Sequence, residues 1–121
     1  MPHAIIEYSQ SLAESAKHKI SPESLMASVF DGAKHSKLFD AADIKVRTIA
    51  FEHHLSGEIP ETNDRPFIHV TMKILSGRTL EQRTHLSECV MAALEQLKLE
   101  SLSLTVEILD IEKASYIKRL K

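Results

Sequence analysis

Proline at position 2 directly follows Met1 and precedes the apolar run Ala4-Ile5-Ile6. Methionine followed by a small residue is the usual substrate of methionine aminopeptidase, and removal of Met1 leaves a secondary amine at the start of the chain. That amine is a candidate general base, because an α-amino group titrates much closer to neutrality than a lysine does. A proline nitrogen is intrinsically a stronger base than a primary amine, so positive charge and desolvation must lower its pKa if it is to be a free base at pH 7. Lys45, Arg47 and Arg78 are the candidate cations. They would bind an anionic substrate and hold the amine neutral. Arg78 also stands just before a predicted helix start, where unpaired backbone N–H groups favour anions, so a carboxylate there would be held twice over. Each residue has a plainer alternative. Pro2 is also a common processed start, Arg78 a solvated loop arginine, and Lys45 and Arg47 an exposed sheet face or an intersubunit salt bridge.

Other chemistries find little support. The seven histidines include His53-His54, adjacent on an alternating segment and so aimed at opposite faces, and the rest form neither a helical pair nor a set with cysteine or carboxylate. No metal site is expected. Cys89 lies among helix residues with no basic neighbour in sequence to mark a thiolate, which favours a structural role. The three glycines, Gly32, Gly57 and Gly77, are too widely spaced for a phosphate-cradling loop.

The elements that must position these residues follow from periodicity. Ala4-Ile5-Ile6-Glu7-Tyr8 sets apolar residues between a proline and the polar Ser9-Gln10-Ser11, which predicts a strand that anchors Pro2. Ser21-Pro22-Glu23 starts a helix, with Leu25, Met26, Val29, Phe30 and Ala33 at helical spacing, and helix from Leu12 to Lys19 would precede it with a bend at Pro22. Ile44 to Glu52 is a second strand, with Ile44, Val46, Thr48 and Ala50 on one face and Lys45, Arg47, Ile49 and Phe51 on the other. Two cations thus share a face. A turn-rich connection from His53 to Pro66 leads to a third strand, Phe67 to Ile74. Thr79 and Gln82 have the spacing of a capping box, and Leu80, Leu86, Val90, Ala93, Leu94 and Leu97 form the apolar stripe of a second long helix. Leu102, Leu104, Val106 and Ile108 alternate as a fourth strand, and Ala114 to Lys121 is a polar tail of at most one helical turn.

The order is strand, helix, strand, repeated, and both halves open with proline before an apolar strand: Pro2-His3-Ala4-Ile5-Ile6 and Pro66-Phe67-Ile68-His69-Val70. This is an α/β (α+β) pattern of tandem βαβ units. Right-handed crossovers place both helices on one face of a four-stranded mixed sheet. The other face then needs a cover, and another copy of the chain is the natural source.

At 121 residues the chain reads as one domain, 1–121, able to fold without disulfides or metal. Its 15 basic and 17 acidic side chains leave a formal charge of -2, so charge gives no case for nucleic acid or a membrane as partner. A single cysteine excludes an intramolecular disulfide and fits a reducing cytoplasm. The start lacks the features of a signal peptide, and no stretch approaches the roughly 18 apolar residues of a membrane span.

The start Met1-Pro2-His3-Ala4-Ile5-Ile6-Glu7-Tyr8-Ser9, the segment Phe67-Ile68-His69-Val70-Thr71-Met72-Lys73-Ile74 and the following Ser76-Gly77-Arg78-Thr79-Leu80-Glu81-Gln82-Arg83 together resemble the 5-carboxymethyl-2-hydroxymuconate Δ-isomerase family of the tautomerase superfamily. The likeness spans nearly the whole chain in length and element order, and is loosest from Ser9 to Pro66. It implies a homotrimer without a cofactor, in which Pro2 is general base and acid for enol-to-keto tautomerisation of an unsaturated dicarboxylate in aromatic catabolism. Pro2 and Arg78 fall on matching positions. A second family arginine, on the second strand, lands on Lys45, so either Lys45 replaces it as a point charge or Arg47 takes over. Two alternatives stand beside this reading: another proline-amine tautomerase, of the phenylpyruvate type, and a non-catalytic ferredoxin-like binding module, since the same element order describes that superfold.

Overall fold

The computed structural model describes residues 1–14, 19–57 and 65–121. In chain order the elements are β1 (His3–Ser9), α1 (Ser11–Glu14), α2 (Pro22–His35), β2 (Lys45–Phe51), β3 (Phe67–Leu75), α3 (Leu80–Glu95) and β4 (Ser103–Ile111), with 3-10 turns at Ala41–Asp43 and Lys113–Ser115. The four strands form one sheet in the order β2-β1-β3-β4. β1 is parallel to β2, β3 is parallel to β4, and β1 runs antiparallel to β3. Each βαβ unit thus contributes a parallel pair, and the two units join back to back. This mixed sheet replaces the antiparallel one that a ferredoxin-like module would have.

Period-two burial shows which face the helices cover. Ala4, Ile6 and Tyr8 of β1 and Ile68, Val70, Met72 and Ile74 of β3 are buried, as are Leu25, Val29 and Ala33 of α2 and Leu86, Val90 and Leu94 of α3. Burying each Val, Leu, Ile or Met side chain among these stabilises by roughly 1.5–3 kcal/mol relative to exposure, so this apolar layer is the main source of stability. Both helices begin where their sequences provide caps. The Ser21 hydroxyl accepts from the Ser24 amide with Pro22 in the first turn, and the Thr79 hydroxyl accepts from the Gln82 amide at 3.1 Å while Gln82 accepts from Thr79. Beyond the helix ends, Lys37 and Lys98 adopt φ of 62° and 53°, which turns the chain away from each axis.

At Gly32 the two helices meet closely. A Cβ there would lie 2.9 Å from both Cys89 O and Val90 Cα and 3.1 Å from Ala93 Cβ. Two of those atoms are backbone and have no rotamer to move to. Gly32→Ala gains about 1 kcal/mol in helix propensity but incurs overpacking of about 1–3 kcal/mol, so a net loss of stability is expected. Urea denaturation checks it, and a midpoint at or above that of the parent chain would contradict the tight contact.

Two elements differ from the sequence expectation. Of the helix expected over Leu12–Lys19, residues Ser11–Glu14 are helical, residues 15–18 lie outside the described residues, and Lys19 has φ of 45°, so α1 is not joined smoothly to α2. β4 runs three residues past Ile108, because its backbone pairs with β3 as far as Leu75↔Ile111. Residues 58–64 of the connection before Pro66 also lie outside the described residues. Among the described residues, no helix is long and apolar enough to cross a membrane, and no group of three or more His, Cys, Asp or Glu is placed to hold a metal ion.

Candidate active site

Strand direction gathers the site at one end of the sheet. The parallel pairing sets His3 opposite Lys45, and the antiparallel pairing sets His3 opposite Lys73 near the end of β3. Arg78 follows β3 by a short loop, and β4, parallel to β3, delivers the carboxy-terminal tail to the same end. Pro2 is buried, and its carbonyl accepts the Lys45 amide at 3.1 Å, extending the β1–β2 ladder to the proline itself. The chain start is therefore fixed in space, as a base at that position requires.

The charges at this end act on the terminal amine. Burial is the largest influence on the Met1 amine and lowers its pKa below the usual 8.0; Asp43 opposes this, while Lys45, Arg78 and Lys118 lower it further. Arg47 is not in that set. Of the two strand cations, Lys45 is the one that contributes to lowering the amine's pKa.

Arg78 is held in a fixed pose. Gly77, at φ +119°, makes the turn that a side-chain-bearing residue adopts only with strain, and so delivers Arg78 to the start of α3. One guanidinium nitrogen, Nη2, donates to the Leu38 carbonyl at 2.8 Å, and the group stands 4.9 Å from the centre of the Phe39 ring. Among the described residues the remaining guanidinium donors have no hydrogen-bond partner. The α3 capping box already takes the amides of Thr79 and Gln82, so an anion placed here would meet the guanidinium rather than those two amides.

Arg47 and Lys45 lie on the sheet face opposite the helices, as their alternation predicts, but face different partners. Arg47 Nη1 is 3.3 Å from His3 Nδ1, whereas Lys45 Nζ lies 3.5 Å from the Asp43 carbonyl. His3 Nε2 lies 2.9 Å from the Tyr116 hydroxyl, the two rings meeting edge-on with centroids 6.0 Å apart. Burial first, then the charges of Arg47, Lys45, the amino terminus and Lys73, push the His3 pKa down. Lys118 donates to Met1 Sδ at 3.2 Å and pairs with Asp43 at 3.3 Å. Sequence reasoning missed His3, Phe39, Tyr116 and Lys118. For His3 the signal was its place beside Pro2, but the tail residues carry no periodicity that would mark them.

Comparison with known proteins gives the family and the fold. A family model described as 5-carboxymethyl-2-hydroxymuconate isomerase matches residues 2–120. No curated protein sequence matches the chain. Among solved structures, a 5-carboxymethyl-2-hydroxymuconate delta-isomerase superposes with a TM-score of 0.80 at 16% identity, over 100% of this chain and 89% of that one. A 5-carboxymethyl-2-hydroxymuconate isomerase from Deinococcus radiodurans R1 superposes at 0.77 with 22% identity, over 99% and 90%. A fused 4-OT described as a symmetric trimer gives 0.71 at 17% identity, over 93% and 87%. Structural likeness at these identities speaks to the fold, and the family model carries the sequence relationship across almost the whole chain: the protein belongs to the 5-carboxymethyl-2-hydroxymuconate isomerase family.

Proposed function

We propose that this isomerase converts a 2-hydroxymuconate-type dienol, such as 5-carboxymethyl-2-hydroxymuconate, to its keto form in the breakdown of an aromatic compound, with Pro2 as base and acid once Met1 has been removed. The observation that carries the reading is the buried amino terminus of β1 lying under the charges of Lys45, Arg78 and Lys118. The free amine of Pro2 takes the proton of the 2-hydroxyl, and the O–H electron pair becomes the new C=O bond. The conjugated double bonds shift along the chain, and the protonated amine returns a proton to the distal carbon. Protons balance and no redox partner is needed.

Arg78 binds one substrate carboxylate through the guanidinium donors that Leu38 leaves free. Lys45 is the better candidate than Arg47 for a second anionic contact, because it lies close enough to act on the amino terminus while Arg47 is engaged with His3. A lysine there is a point charge without a planar fork, so orientation falls mainly to Arg78. Loss of dienol absorbance on adding processed protein tests the reaction. A processed, folded sample that leaves the dienol unchanged would refute it.

The helix-free face of the sheet carries Ile49 and Leu109, 49% and 43% exposed, and supports closure by further copies of the chain. A homotrimer is the assembly this reading expects. Sedimentation equilibrium at micromolar concentration should return three times the chain mass; a stable monomer would refute the trimer.

A further inference from the structure

Beyond the charge of Lys118, the carboxy-terminal tail brings a phenol, that of Tyr116, to the candidate site. After the turn at Lys113–Ser115, Tyr116 rests on His3 and Lys118 reaches Met1, so the tail crosses the start of β1 beside the proposed base. We propose that Tyr116 is the hydrogen-bond donor for the substrate's 2-oxygen, with Arg47 and His3 as positioning residues that set the direction of its hydroxyl proton. The inference rests on reading the site as a proline-amine tautomerase.

Bond polarity carries the argument. A guanidinium has donors and no acceptor, so Arg47 at 3.3 Å makes His3 Nδ1 the acceptor. Burial and the surrounding positive charges keep the ring neutral, and a neutral imidazole that accepts at Nδ1 carries its proton on Nε2. Nε2–H therefore donates to the Tyr116 oxygen at 2.9 Å. The phenol's own hydrogen is left over, with no acceptor among the described residues. Each bond in the relay from Arg47 through His3 to Tyr116 polarises the next, which makes the hydroxyl a stronger donor.

The kinds of donor at this end of the sheet divide the substrate's oxygens between them. Lys45, Arg78 and Lys118 carry full charges and suit carboxylates, whose charge is constant through the reaction. A neutral, polarised phenol suits an oxygen whose charge develops and then disappears as the enol proton leaves and the carbonyl forms. The phenol keeps its proton throughout.

Calorimetric binding of 2-oxoadipate and adipate to the processed full-length protein, Tyr116→Phe and Arg47→Met tests this without requiring turnover. The parent protein should prefer 2-oxoadipate by about tenfold, the worth of one net hydrogen bond. Tyr116→Phe should bind both diacids alike and leave adipate affinity unchanged, which a merely structural role would not do. Arg47→Met should lose most of the same preference; should Tyr116→Phe fail to fold, Arg47→Met decides alone. A parent protein without the preference, or variants that keep it, overturn the proposal. Dienol turnover in the same samples separates the two readings: turnover without the preference sinks this inference alone, whereas neither turnover nor diacid binding sinks both.

Discussion

Protein that retains Met1 is expected to ketonise a 2-hydroxymuconate-type dienol about a hundred- to ten-thousandfold more slowly than processed protein, the range over which a positioned acid–base group contributes. With Met1 attached, the Pro2 nitrogen is a tertiary amide whose lone pair is delocalised into the carbonyl. It cannot take a proton at any working pH. With Met1 removed, the nitrogen becomes a secondary amine one residue further into the fold than the Met1 amine, at a residue that is itself buried. Burial already lowers the pKa of the more exposed Met1 amine, and Lys45, Arg78 and Lys118 act in the same direction against Asp43. Moving the amine inward strengthens the desolvation that favours the neutral form.

The pH dependence follows from that sign. The neutral amine is the active form, so kcat/KM should rise with pH through the amine's titration and level off once it is deprotonated. The midpoint should lie below that of an unburied prolyl amine, because burial and cations lower it. Mass spectrometry of each sample beside the spectrophotometric assay links rate to processing. Equal rates with and without Met1 would remove Pro2 as the base.

The parts legible in the sequence are those set by local pattern. Alternation located β1, β2 and β3, and the Thr79–Gln82 spacing located the start of α3 because a capping box is local. The end of β4 was not legible, since beyond Ile108 the apolar residues Leu109 and Ile111 move to the other face and pairing with β3 sets the length. The left-handed Lys19 has no side-chain signature at all. The same division holds at the site. Tandem βαβ order alone brings the start of β1, the start of β2 and the loop before α3 to one end, so Pro2, Lys45 and Arg78 were legible as neighbours. The contacts of Arg47 with His3, of His3 with Tyr116, and of Arg78 with Leu38 span 44, 113 and 40 residues. No spacing rule reaches that far, and these contacts now divide the two strand cations between different partners.

Arg78→Ala is expected to lower kcat/KM for a dianionic dienol by on the order of tenfold to a thousandfold, as loss of a charge-assisted contact to a carboxylate should. Arg78→Lys should recover little of this. A lysine amine can reach toward a carboxylate, but it cannot spend one donor on the Leu38 carbonyl, stand over the Phe39 ring and still present a planar pair of N–H groups to the ligand. Stability must be separated from chemistry, because removing the guanidinium also leaves the partly buried Leu38 carbonyl without its donor. That loss is about 1 kcal/mol and lowers the melting temperature by a few degrees without unfolding the chain. Steady-state kinetics and a melting curve on the same samples therefore give the answer together. A folded Arg78→Ala protein with unchanged kcat/KM would place the arginine outside the site, and a lysine variant with full activity would show that charge alone, not the guanidinium fork, is what the substrate needs.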